Sequence, residues 1–171
     1  MWPFRAKQSA VALPVAPVPT TNFLSFVAPR EVSSLGELPG EAIAALVEGP
    51  MPSGSAQVVP DAVRPNRVFI DFMHEVIRAR APSDPDLRAA AAAQWDGWVY
   101  VIDLRTPDGP QGRVPAEDII GGFQVAHGEI LADTYVPNEK HKVYTSNGLV
   151  RLPPLLRAAF VEELKRCKPG R

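Results

Sequence analysis

Four groups of side chains have the types and spacing to do chemistry. Asp71 and His74 stand three residues apart, so a helix would place the carboxylate one turn from the imidazole and orient it for base catalysis. No serine or cysteine nearby completes that picture, and the pair reads as an exposed ion pair. Asp103 and Arg105 recur at a spacing of two in the chain's strongest strand pattern and point to one face of it. Charges in a central strand carry a cost unless they are paired or lie at the strand end. Asp103 and Arg105 therefore pair with each other or with a neighbouring strand, face solvent at the strand end, or line a site. Pairing is the leading reading, because buried charges are usually paired.

The third group is the segment Pro137-Asn138-Glu139-Lys140-His141-Lys142, bracketed by Tyr135 and Tyr144. Basic residues beside aromatics can hold a nucleic-acid strand by phosphate contact and stacking. Three cations and two tyrosines also describe a hairpin loop with lysines on its edges, which is the reading favoured here. The fourth group is Trp2 and Phe4, large aromatics in a proline-rich tail. Such residues either dock in a partner's pocket, where tryptophan carries much binding energy, or fold back over the chain's own core.

Two glycine motifs read as structural. Gly121-Gly122 lies inside a strand pattern and is followed at once by Phe123, whereas a phosphate loop leads into a helix. A bulge or a close backbone approach accounts for it better. His127-Gly128 reads as a two-residue hairpin turn, whose first position takes positive φ.

Composition narrows the classes further. The chain has 171 residues, of which 46% are apolar, enough for one domain with a core. The 19 prolines are about twice the usual share of ~5% and crowd the first sixty-odd positions. Net charge is −1, which argues against a general polyanion binder. Residues 1–136 carry a net −6 and residues 137–171 a net +5, and the basic end reads as a solvated helix terminus. Cys167 is the only cysteine, so no intrachain disulfide forms, and the three histidines are too dispersed for a metal site. No cofactor is expected. Pro14, Pro17 and Pro19 interrupt the apolar run that a signal peptide needs, and no stretch is long enough to span a membrane. A cytoplasmic protein is expected.

The elements that must position these residues follow from periodicity. Residues 1–20 form an extended Pro/Ala/Val-rich tail, and 21–65 an irregular segment with one short helix over Pro39–Val47 and a linker over 50–65. Residues 66–171 form the compact domain. Val68, Phe69, Phe72, Met73, Val76 and Ile77 mark a helix over Asn66–Arg80. Asp84 caps a second helix that starts at Pro85 and runs to about Trp95, giving a helical hairpin. At Gly97 the period changes to two. Trp98 to Arg105 reads as a central strand, Ile119–Val125 and Glu129–Val136 as a hairpin, and Val143–Ser146 with Leu149–Leu152 as strands joined at Asn147-Gly148. Pro153-Pro154 opens a last helix carrying Leu156, Phe160 and Leu164 on one face. The fold class is α+β: an antiparallel sheet of four or five strands within residues 98–152, packed by the helical hairpin and the C-terminal helix.

Three functions fit this layout. The first is a non-enzymatic interaction or assembly protein that binds a protein partner or its own copies, with Trp2 and Phe4 as an added anchor. The second is a small enzyme or ligand-binding domain with a sheet-face site built from Asp103, Arg105, Tyr135, Asn138 and His141. That version requires Asp103 and His141 to converge. The third is a weak nucleic-acid binder using Lys140, Lys142, Arg151, Arg157, Lys165 and Arg166.

Overall fold

The computed structural model describes residues 22–167. Trp2, Phe4 and the proline-rich tail lie outside the described residues. The fold is α+β, with four α-helices and antiparallel sheets among the described residues. The first sheet has three strands, β1 (Asn22–Ser25), β2 (Ile43–Val47) and β3 (Val63–Pro65), in that order. A short helix α1 (Pro29–Leu35) lies between β1 and β2.

Two expectations for this region are corrected. Ile43–Val47 is a strand, entered through a single 3-10 turn at Gly40–Ala42, not the end of a helix. The spacing of Ile43, Leu46 and Val47 is ambiguous over so short a run, and strand pairing on both sides decides it. Residues 50–65 are more than a linker. Val58 is buried with Ala45, Val47 and Val63, and the Tyr144 hydroxyl donates to the Val58 carbonyl at 2.8 Å.

Helix α2 (Arg67–Arg80) begins where the Asn66 side chain accepts from the Val68 amide. It buries Phe69, Met73, Val76 and Ile77, the stripe expected from the sequence. Helix α3 (Pro85–Gln94) starts at Pro85, with Asp84 accepting from the Asp86 and Leu87 amides. Helix α4 (Pro154–Leu164) buries Leu156, Ala159, Phe160 and Leu164. The Phe160 ring meets Phe26, Phe69 and Phe72 at centroid distances of 4.6, 5.5 and 4.9 Å, so one aromatic cluster joins α4, α2 and the chain just after β1. Arg157 of α4 forms a two-pronged ion pair with Glu31 of α1, both contacts at 2.8 Å.

The second sheet contains β4 (Gly97–Ile102), β5 (Ile119–Ala126), β6 (Glu129–Ile130) and β7 (Val136–Pro137). The middle strand is β5, which pairs with β4, β6 and β7. Strand β4, expected to be central, is therefore an edge strand. It also ends at Ile102, so Asp103 and Arg105 leave it into a turn instead of continuing along its face. Helix α3 packs against β4 and β6, whereas α2 packs against α4. His127 (φ 53°) and Gly128 (φ 77°) make the tight turn into β6. In the small hairpin of β8 (Tyr144–Thr145) and β9 (Gly148–Leu149), Thr145 pairs with Gly148. Its turn is thus centred on Ser146-Asn147, one residue earlier than expected.

Gly121 and Gly122 owe their identity to close approach. A β-carbon on Gly121 would stand 2.5 Å from the Tyr135 hydroxyl oxygen, and one on Gly122 would stand 2.9 Å from the Tyr100 ring. Each glycine makes room for an aromatic ring laid across the sheet.

Candidate functional site

The residues with chemical potential fall into two regions. One is built around a buried ionic cluster where β4 ends. Asp103 is fully buried, and Arg105 and Asp118 nearly so. Asp103 Oδ1 accepts from the backbone amides of Arg105 (3.1 Å) and Arg151 (3.0 Å). His141 donates from Nε2 to Oδ2 at 3.1 Å. Arg105 Nε lies 3.0 Å from Asp103 Oδ2 and 3.7 Å from Asp118 Oδ1, ionic contacts without hydrogen-bond alignment. The Arg105 guanidinium also donates to the carbonyls of Val143 (3.1 Å), Gly148 (2.6 Å) and Lys142. One buried cation thus holds the loop after β7 and the β8–β9 hairpin against the end of β4, with two carboxylates balancing its charge.

Asn138 works in the same way. Its amide donates to the Ala116 and Ile119 carbonyls, each at 2.7 Å, and its oxygen accepts from the Lys140 amide at 3.1 Å. Tyr135 is buried beneath Gly121 and shares a 2.7 Å hydrogen bond with His74 Nδ1. Burial drives the Tyr135 hydroxyl well above its ordinary value, against the opposing effect of Arg78 beside the ring. Burial also pushes the His74 imidazole down to about 4, with His141, Arg67 and Arg78 acting in the same direction. His74 therefore belongs to Tyr135. The expected Asp71–His74 pair is replaced by an Arg67–Asp71 pair at 2.8 Å.

Arg67, Asp71, His74 and Arg78 recur at helical spacing along α2 and face the loop from Val136 to His141 across a cleft of about 600 Å³. The cleft brings Asn138 and His141 together, with Tyr135 behind His74 and Asp103 behind His141. Asp103 and His141 do converge, as a site around them requires. Arg105 and Asp103 do not line the cleft. Arg67, Asp71, His74, Asn138 and His141 on its wall have protein partners, whereas Glu75 and Glu139 make no hydrogen bond or ion pair among the described residues and Arg78 meets only the Tyr135 ring. Asp118 escaped sequence reasoning, because a single carboxylate ahead of Ile119-Ile120 carries no periodic signal.

The other region follows the open edge of β4. Gln124, opposite Trp98, turns its backbone away from β4: its amide donates to Thr134 Oγ1 at 2.9 Å and its carbonyl accepts from Leu131 at 2.9 Å. The Asp103 amide reaches in the β5 direction, to the Asp118 carbonyl at 2.8 Å. Strand alternation then directs the backbone groups of Trp98, Tyr100 and Ile102 to the open edge. The Trp98 carbonyl meets the Gln94 side-chain amide there at 2.6 Å. A groove of about 900 Å³ runs along this edge, walled by Leu87, Ala90 and Gln94 of α3 and by Pro153–Leu156. Trp98 is 37% exposed, Tyr100 48%, and Leu104 and Leu155 are also exposed beside it. Periodicity does not reveal this surface, because it gives β4 two partly apolar faces and so the pattern of a central strand. The available signal was its parity: both large aromatics fall on one alternation and both valines on the other.

The basic residues weighed for nucleic acid do not form one patch of free cations. Lys142 pairs with Glu117 at 3.4 Å, Arg157 with Glu31, and Arg166 with Glu162 and Glu163 at 3.0 and 2.7 Å. No group of three metal-ligating side chains occurs among the described residues, and no described helix is long and apolar enough to cross a membrane. The chain matches no protein-family model, no curated protein and no solved structure.

Proposed function

We propose that this protein is a non-enzymatic interaction module whose contact surface is the groove along the open edge of β4, and that it takes an extended apolar protein segment by strand addition. The observation that carries this is an edge strand with exposed alternate aromatics whose outward backbone groups at Tyr100 have no partner among the described residues, between the Trp98 carbonyl held by Gln94 and the Leu104 amide held by the Arg151 carbonyl. Trp98, Tyr100 and Ile102 include no lysine or proline, and the pairing with β5 is regular from Gly97 to Val101; the register shift before Ile102 comes from an extra residue, Ile120, on the β5 side. Backbone pairing supplies affinity in this mode, and the pockets beside Trp98 and Tyr100 supply selectivity. Trp2 and Phe4 serve in this reading as an added anchor on the partner.

The cleft at His74 and His141 is the less favoured surface, because the groups at its centre, Arg67, Asp71, His74, Asn138 and His141, are already engaged with protein partners. A ligand there must compete with the Tyr135, Asp103 and Arg67 contacts already made.

The test is panning of a displayed random-heptapeptide library on the full chain and on Tyr100→Pro. The Tyr100 amide points outward, so proline there removes an edge donor without removing a β4–β5 hydrogen bond. Alternating apolar heptapeptides are expected from the wild-type chain and not from the variant. Panning is done at a concentration where sedimentation shows the chain to be monomeric, and indistinguishable pools, or none from the wild type there, would refute the reading.

A further inference from the structure

The outward residues of β4 are self-complementary, and we infer that the segment the groove takes is β4 of a second copy, paired antiparallel about Tyr100. This rests on the strand-addition reading above and names its partner.

The geometry follows from three residues. In an antiparallel pair centred on Tyr100, Tyr100 faces Tyr100 of the other copy, and Trp98 faces Ile102. All three direct their backbone groups to the open edge. Each facing pair is therefore of the kind that exchanges both N–H···O bonds, giving about six across the interface. The pairing makes the two four-stranded sheets into one continuous sheet. The side chains of Trp98, Tyr100 and Ile102 share one face, so the contact sets Tyr100 against Tyr100 and Trp98 against Ile102. Aromatic–aromatic and aromatic–β-branched neighbours of this kind are the favoured cross-strand pairs.

Along the strand itself no charge opposes the contact, since Gly97-Trp98-Val99-Tyr100-Val101-Ile102 contains no ionisable group other than the Tyr100 phenol; the carboxylates of the groove, Asp84 and Asp86, lie on the α3 side, where Asp84 is held by the Asp86 and Leu87 amides. Such a contact is isologous and closes at two copies, so it makes a dimer and not a fibre. Trp98, Tyr100, Leu104 and Leu155 contribute about 350 Å² of exposed side-chain surface per copy, less than half of the ~800 Å² per partner of an ordinary interface, so the groove walls must supply the rest. Gln94, now on the Trp98 carbonyl, is released when the second copy's Ile102 amide takes its place.

Sedimentation velocity on the full chain, across a concentration series, is the first measurement. A dimer is expected, and Tyr100→Pro or Trp98→Lys should weaken it at least tenfold while circular dichroism stays that of the folded chain. The second measurement reads register directly, in a Cys167→Ser background and with a bis-maleimide of about 8 Å reach, longer than the ~5.5 Å between facing Cα atoms. Tyr100→Cys should crosslink to itself, and Trp98→Cys should crosslink to Ile102→Cys in a mixture. Trp98→Cys alone should not, because its two copies stand about 14 Å apart in this register. A chain that stays monomeric to about 0.5 mM, a dimer indifferent to Tyr100→Pro, or self-crosslinking of Trp98→Cys overturns the inference. If the chain is monomeric yet still selects peptides through the Tyr100 edge, self-pairing fails while the interaction reading stands.

Discussion

Replacing Asp103 by asparagine separates a scaffold carboxylate from one held for a ligand. Asp103 takes two backbone amides on one oxygen and the Arg105 and His141 nitrogens on the other. Asparagine keeps the shape, but its NH₂ must face donors on whichever side it is placed. Arg105 is then left buried with Asp118, at 3.7 Å, as its remaining anion. Removing one partner of a buried pair typically costs 3–5 kcal/mol, and Asp118 as a partial substitute sets the expectation at about 3 kcal/mol. For a chain of this size that lowers the melting temperature by about 6–12 °C. Urea unfolding followed by circular dichroism measures it, for Asp103→Asn, Arg105→Met and the double variant. The double variant should cost less than the two single costs combined, since Asp103 and Arg105 are removed together and only Asp118 is left without its cation. A loss under about 1 kcal/mol, or a gain in stability, would refute the reasoning. A gain would instead mark the carboxylate as kept for function at the expense of stability.

Two further outcomes follow from the Tyr135 niche. The folded-state pKa of His74 lies below that of the unfolded chain, so the unfolded state binds the extra proton and stability falls as pH drops from about 6.5 towards 4. Between pH 7 and pH 5 the loss attributable to His74 is about 1 kcal/mol once its partial exposure is allowed for, and His74→Gln should flatten the urea-midpoint profile over that window; an unchanged slope counts against the burial of this imidazole. Gly121→Ala places a methyl group against the Tyr135 hydroxyl and should cost about 1–3 kcal/mol, with hydrogen exchange in β5 and β7 accelerated; a neutral effect would mean that the ring is free to move away.

Helices α2, α3 and α4 were legible because each carries its own instructions. Asn66 and Asp84 supply caps, Pro85 and Pro154 supply first-turn prolines, and the stripe from Phe69 to Ile77 has the helical period. The His127-Gly128 turn and the close approach at Gly121-Gly122 were legible for the same reason: local backbone chemistry admits few alternatives. Ile43–Val47 was not, since five apolar residues satisfy helix and strand alike until β1 and β3 pair with them.

At the candidate sites, sequence alone determined which residues were chemically costly to bury: Asp103, Arg105 and His141 had to find partners, wherever the chain placed them. Tertiary structure decided who those partners are, bringing Asp118 and the loop carbonyls to Arg105 and giving His74 to Tyr135 instead of Asp71. It also decided that β4 has an open edge. A strand's period shows which of its faces is apolar, but whether a second neighbour lies beside it depends on sheet order, a property of contacts between residues distant in the chain.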